Sequence, residues 1–433
     1  MGDTGGEVES PAAGPATGTL ARPAPRPPTS LAADPGEIRA LTGLRLFAAG
    51  WVVLFHFEFT EGHLLARVLA PVYPAVTTGA MGVDLFYVLS GFVIAFTYLG
   101  KLGPHWRWRA AGKFIWARVC RIWPVYALVT TLFGAYLAVK MVRLSDATPA
   151  YQNVQPTLSV SSWLQQLGMV QIWFRPWHDG ASFVGPAWSI SAEWLAYVLF
   201  PVGALLLYRL RRLPRWLLAT CAVLLMLPES VLCLRTGSPY FPYSWAARIL
   251  AGFTAGVLIY LVVRDIPRTD RVRRVASWLG WLLVAAVVGG LWLGAALGPA
   301  PEGTERGGVV LVLFPLLVGA LALAGGSRLG VARLLSTRWA VHGGRISYSL
   351  YLVHVPIFEV YWAVMERIPA FHQDGVLATV LTPLVFLSAF GTAHLLFRLV
   401  EEPSRRVLRR LTSGRSATPA PAAGATPAGT SRR

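Results

Sequence analysis

The sequence predicts an all-α, polytopic transmembrane helical bundle of about ten spans, with both termini cytoplasmic. Three observations carry that expectation. The 433 residues are 55% hydrophobic and only 14% charged, with a mean hydropathy of +0.52, too few charges to cover a soluble protein of this size. The apolar residues come in blocks of roughly 18–25, the length that crosses a hydrocarbon core of about 30 Å. Finally, 29 of the 39 Lys and Arg residues fall in the alternate segments 1–39, 100–121, 209–215, 264–274, 326–345 and 400–433, which assigns those segments to the cytoplasmic side by the positive-inside rule.

Residues 1–36 are rich in Pro, Ala, Gly and Ser without periodicity and read as a disordered cytoplasmic tail. No short apolar core precedes a small-residue cleavage site, so no signal peptide is expected there. Spans follow at about 39–59, 80–99, 116–139, 185–208, 215–234, 244–263, 276–297, 307–325, 346–366 and 376–399, making 37–410 one transmembrane unit in a multi-pass cell-membrane protein. Residues 411–433 read as a second disordered cytoplasmic tail. The longest external connection, about 140–184, carries Trp163, Trp173 and Trp177. These suit an interfacial aromatic belt, a re-entrant segment over 161–178, or a lining for an apolar acceptor.

The net charge of +18 does not signal nucleic acid, because the basic residues follow the loops and form no groove interleaved with stacking aromatics. Three cysteines (Cys120, Cys221 and Cys233) without a CxxC pair predict neither a disulfide framework nor a zinc site.

Ionisable residues at membrane depth cost about 2.5–3.5 kcal/mol on insertion scales, so they face a protein interior and are functional candidates. The first span, "GLRLFAAGWVVLFHF", carries Arg45 and His56. Eleven residues at 100° each return to the same helical face about 16 Å further along the axis. An arginine fork binds phosphate well, and imidazole is the usual general base near neutral pH. The alternatives are a snorkelling arginine and an interhelical hydrogen bond. Asp84, in "GVDLFYVLSGF", either orients the His56 imidazole or serves as the acid of a helix N-terminus. Glu193 lies deeper in "GPAWSISAEWLAYVLFP" and shares a face with Ser189. Ser347, Tyr351 and His354 form an i, i+4, i+7 stripe, which reads as interhelix hydrogen bonding or as a substrate lining. Arg118 and Arg121 sit at a helix start, where a cation opposes the dipole unless an anion is near. Gly252 and Gly256 form a small-xxx-small pair suited to helix packing.

Six blocks in order resemble acyltransferase family 3, the integral membrane O-acyltransferases: "IRALTGLRLFAAGWVVLFHF", "GVDLFYVLSGFVIAFTY", "FIWARVCRIWPVYAL", "PAWSISAEWLAYVLFP", "GRISYSLYLVHVPIF" and "RLVEEPSRR". They cover about 37–406. The resemblance implies acyl transfer from acyl-CoA, or another cytoplasmic donor, to a hydroxyl of a sugar or glycosylated acceptor, either an envelope glycan or a secreted metabolite. It implies His56 as the catalytic histidine, with Asp84 and Glu193 in the same centre. Arg45, Arg118 and Arg121 would hold the donor's phosphates, and Trp188, Ser189, Tyr351 and His354 would contact substrate. Acyl-CoA would be a substrate, with no permanently bound cofactor or metal. The lipid bilayer is the other expected partner, and nucleic acid is not one. Two departures stand out: Thr42 occupies a position where many members carry an acid, and only a short tail stands where larger members carry a hydrolase-like domain.

The competing reading is a transporter or flippase for an anionic amphiphile, which would also line a path with buried Arg, His and Glu. It lacks an inverted repeat and a matching pair of broken helices.

Overall fold

The computed structural model describes residues 1–2, 30–31, 36–57, 69–144, 154–303, 305–327, 329–368 and 376–412. Both predicted tails lie almost entirely outside the described residues. Among the described residues 81% are helical and none belongs to a strand. The main helices are α1 (Arg39–Phe57), α2 (Gly82–Ile94), α3 (Trp108–Leu144), α4 (Val160–Leu167), α5 (Trp188–Arg209) and α6 (Arg215–Thr236). They continue with α7 (Ser244–Val263), α8 (Asp270–Ala296), α9 (Phe314–Leu323), α10 (Arg338–Arg367), α11 (Val376–Leu396) and α12 (Glu402–Thr412).

Nine helical segments among the described residues are long and apolar enough to cross a membrane, and they fall on nine of the ten predicted spans. The remaining span, 346–366, lies on α10, which has 30 residues. At 1.5 Å per residue α10 is long enough to cross. Its polarity sets it apart: Arg338, His342, Arg345, Ser347, His354 and Glu359 all lie on it. Most of its middle is buried, so α10 meets other helices where a typical span would meet lipid. The segment 161–178 holds only the eight-residue α4 followed by irregular chain, too short to cross. There Trp163 donates to Thr131 Oγ1 (3.0 Å) and Trp173 donates to the Ser191 carbonyl (3.0 Å). These two rings are tied into the bundle, and Trp177 is the exposed one.

Two close helix crossings organise the core. At the first, α1 and α10 run parallel: a Cβ on Gly344 would overlap the Thr42 carbonyl, and one on Gly343 would strike Leu46. Further along the same pair, Phe57 and Phe358 pack with ring centroids 5.0 Å apart. At the second, α2 crosses α7 through Gly91, Gly252 and Gly256, whose added Cβ atoms would meet Phe253, Tyr87 and Val88. The predicted small-xxx-small pair is therefore packing, because without side chains the backbones approach to contact.

Candidate active site

The first crossing sets the site. Arg45 of α1 reaches Ser347 of α10 (Nε–Oγ 3.5 Å), and His56 of α1 meets His354 of α10 (Nδ1–Nε2 3.2 Å). The shared face predicted for Arg45 and His56 is thus the face turned to α10. The Ser347/Tyr351/His354 stripe is what it meets: Tyr351 hydroxyl lies 2.7 Å from Ser189 Oγ and donates to the Pro186 carbonyl at 3.0 Å.

The hydrogen positions in the histidine pair follow from their neighbours. His354 Nδ1 lies 3.1 Å from the Leu350 carbonyl, which can only accept. In the neutral ring the proton therefore sits on Nδ1 and the lone pair on Nε2. His56 Nδ1 faces that lone pair and the Val52 carbonyl at 3.0 Å, two acceptors, so it too carries its proton. The lone pair of neutral His56 is consequently on Nε2, the nitrogen a general base would use.

A cavity of about 50 Å³ lies between α1, α2, α5 and α10, lined by Arg45, Phe86, Tyr87, Ser189, Glu193 and Tyr351 among others; His354 packs against one of these residues, its ring centroid 5.9 Å from that of Tyr351. Arg45 packs its guanidinium over Phe86, 5.7 Å from the ring centroid. Glu193 accepts from Tyr197 hydroxyl (2.5 Å), which also contacts Ser90 Oγ (2.9 Å). The structure thus brings Arg45, Ser189, Glu193 and Tyr351 around one cavity, and His354 joins them to His56.

The Arg-x-x-Arg pair is held by two π-helical turns, Ala95–Leu99 and Phe397–Glu401, each of which re-aims a side chain by inserting a residue into the helical turn. From the first, Tyr98 accepts from Arg118 Nη2 at 3.1 Å; Arg118 also faces the rings of Tyr98 and Tyr197. Its Nε is buried without a hydrogen-bond partner. From the second, Glu401 pairs with Arg121 and accepts from Ser349 Oγ (2.8 Å). Arg121 differs from Arg118 in that a buried carboxylate, Glu401, already pairs with it. Arg118 keeps an unmet donor.

Asp84 lies in the first turn of α2, as the helix-start reading has it. Both of its oxygens accept from Arg248 of α7 (Nε–Oδ1 3.0 Å, Nη2–Oδ2 2.7 Å), and Glu229 of α6 pairs with the same guanidinium (3.0 Å). The carboxylate that was to orient His56 is instead held in a buried ion cluster, and no side-chain cap is made at the start of α2. Trp188, expected to touch substrate, packs over Arg248 (5.4 Å) and against His178 (4.5 Å), so it belongs to that cluster. Thr42, the departure noted in the sequence, hydrogen-bonds to a carboxylate just before the helix. Glu37 accepts from Thr42 Oγ1 (3.0 Å) and from Arg345 (2.8 Å).

Arg248, Glu229, Tyr197, Glu401 and the buried Lys140–Glu359 pair (3.1 Å) were not singled out from sequence. The signal for most of them was present: each is an ionisable residue within or at the edge of an apolar block, the criterion that selected Glu193.

The fold and site define an integral membrane protein with a built polar centre enclosed by its helices. Residues 38–398 match the family model Acyl_transf_3, described as an acyltransferase domain; the chain belongs to acyltransferase family 3 and is an acyltransferase. It is 28% identical over 404 residues to acyltransferase MdmB of Streptomyces mycarofaciens, covering 86% of this chain and 93% of that one. It is 24% identical over 387 residues to O-acetyltransferase OatA of Staphylococcus aureus, covering 86% of this chain and 58% of that protein. It is also 32% identical to protein 2 in the picA locus of Rhizobium radiobacter, over 37% of this chain and 78% of that one. No solved structure matches the chain.

Proposed function

We propose that the chain moves an acyl group from acyl-CoA, or another cytoplasmic acyl donor, to a hydroxyl of a sugar or glycosylated acceptor, with both termini cytoplasmic and no resident cofactor. The observation that carries the reading is the His56–His354 pair at 3.2 Å, whose neighbours leave the His56 lone pair on Nε2. In this scheme His56 Nε2 takes the proton as the acceptor oxygen bonds to the thioester carbonyl carbon. The carbon–sulfur bond then breaks, and the imidazolium returns the proton to the departing thiolate. His354 Nε2 accepts from His56 Nδ1–H throughout and steadies the transient imidazolium. Arg45 and Arg118 hold the donor's phosphates, while Ser189, Glu193 and Tyr351 contact substrate. The activities named for the two longer-matching relatives, acyl and O-acetyl transfer, support the reaction type, and Arg45 in the cavity wall supports an anionic donor.

The test is acyl-CoA-dependent transfer, with thiol release measured in detergent. A general base contributes about 10²–10⁴-fold, so His56→Ala should lose that much rate while still binding acetyl-CoA, and Arg45→Ala should lose the binding. Wild-type protein that binds neither acetyl-CoA nor a longer acyl-CoA would refute the CoA-donor reading.

A further inference from the structure

A second built site lies away from the histidine pair, at an arginine-rich end of the bundle. Two adjoining cavities of about 560 and 840 Å³ share Arg273, Gly326 and Ser327. Together they are lined by Arg39, Arg268, Arg273, Arg274 and Arg333, against the acids Glu37 and Asp270. Glu37 is already bonded to Arg345 and Thr42, so it does not offset Arg273 and Arg274.

The local chain explains why the cavity is there. Thr269 caps α8 by accepting from the Val272 N–H (3.2 Å), and the first turns of α8 then present Arg273, Arg274 and Ser277. The connection after α9 folds over them through Gly326 (φ +80°) and Gly330 (φ +87°). Both are positive-φ conformations that side chains disfavour; a Cβ at Gly330 would press on Ser277. Inside, Arg273 Nε and Ser277 Oγ are buried with no hydrogen-bond partner, and Ser277 is only 7% exposed. Two unmet donors beside a cationic lining call for an anion with several acceptor oxygens, such as a phosphodiester.

The remaining wall identifies the source of that phosphate. Trp278, Trp281 and Leu329 line the larger cavity while being exposed on the outer surface. Further along α8 the exposed apolar side chain of Leu282 lies one turn from Trp278, and that of Val288 two turns from Trp281. A soluble phosphate compound has no use for such a lane, whereas a diacyl lipid needs a polar pocket that opens onto one. We infer that this cavity binds the headgroup of an anionic glycerophospholipid, with Arg273, Arg274 and Ser277 on its phosphate and its tails along the outer face of α8. Basic pockets beside membrane helices recognise headgroups by this chemistry.

The experiment is native mass spectrometry of the purified full chain in detergent, with phosphatidylglycerol and phosphatidylcholine of identical acyl chains. The expected result is roughly tenfold or greater retention of phosphatidylglycerol, lost in Arg273→Gln/Arg274→Gln and undisturbed by added inorganic phosphate or coenzyme A. Equal retention of the two lipids, or a preference unchanged in the double variant, would overturn the inference. Displacement of phosphatidylglycerol by coenzyme A or phosphate would also overturn it, by assigning the site to a soluble phosphate compound. Should the double variant aggregate on size exclusion, Arg274→Gln alone carries the test, because that side chain is exposed and its loss should still weaken the preference. None of these readouts depends on acyl transfer.

Discussion

Replacing Arg248 should harm the protein more than replacing Asp84, and by a margin set by what each change leaves behind. Arg248 is 1% exposed and Asp84 fully buried. Arg248→Met leaves Asp84 and Glu229 facing one another without the guanidinium between them, and breaking a buried pair by removing one partner costs about 3–5 kcal/mol. Asp84→Asn leaves Arg248 still paired with Glu229 at 3.0 Å and still able to donate to the amide oxygen. What is lost is the strength of charge-assisted bonds, about 1.5–3 kcal/mol. The double variant Asp84→Asn/Arg248→Met should be less unstable than the sum, because it removes one of the two stranded carboxylates. The assay is thermal unfolding in detergent followed by tryptophan fluorescence, with acyl transfer measured on the same samples. If Arg248→Met melted like wild type, the cluster would not be structural. If Asp84→Asn abolished transfer at unchanged melting temperature, Asp84 would belong to the chemistry after all.

Arg118 and Arg121 should separate cleanly. Arg118→Ala should raise KM for the acyl donor about 10–100-fold, the value of a charge-assisted bond to phosphate, at unchanged melting. Arg121→Ala should lower the melting temperature by stranding Glu401, and equal KM effects from the two variants would contradict this division. Gly344→Ala drives a Cβ into the Thr42 carbonyl; overpacking of this kind costs about 1–3 kcal/mol and should also slow transfer by spreading α1 from α10. Wild-type melting and rate in Gly344→Ala would show that the crossing tolerates separation. His178, in the connection before α5, is pushed down to about 4 by burial, with Asp179 opposing the shift. Because the folded pKa lies below the ordinary 6.5, the unfolded chain protonates first. His178 therefore contributes stability fully above pH 6.5, and that contribution falls away as the pH drops toward 4. His178→Gln should flatten that part of the melting-against-pH curve, and an unaltered slope would reject the assignment.

The spans were legible because crossing a hydrocarbon core demands a run of apolar residues, a demand each segment meets by itself. The Arg45/His56 face was legible for a similar reason, since helical periodicity is local. Asp84 shows where this stops. Its sequence neighbourhood fits a helix-start acid or a partner for a histidine, and the choice is made by an arginine 164 positions away on a helix whose neighbour nothing local specifies. Arg121 and Glu401, 280 positions apart, repeat the lesson, and the π-helical turn that aims Glu401 leaves no periodic signature. α10 is the intermediate case. Its polar stripe announced an interior helix, but only its packing shows that the stripe meets α1 on one side and α5 on the other.

That packing also explains why the polar centre falls where it does. A histidine pair at hydrogen-bond distance needs its two helices held at one spacing and in one register. Between α1 and α10 the closeness is imposed at one end, by Gly343 and Gly344 against Leu46 and Thr42. From Thr42 to His56 is about 21 Å of helix and from Gly344 to His354 about 15 Å. The two helices must therefore stay nearly parallel over that length for the rings to meet. The Phe57–Phe358 contact closes the far end and prevents them from splaying. The glycines and the phenylalanines are thus as necessary to the His56–His354 geometry as the rings themselves. Phe358→Ala should therefore slow transfer by loosening the α1–α10 pair. His56→Ala should abolish that sensitivity, so that adding Phe358→Ala to it changes the residual rate little. A further full-sized loss in the double variant would mean that Phe358 acts by another route.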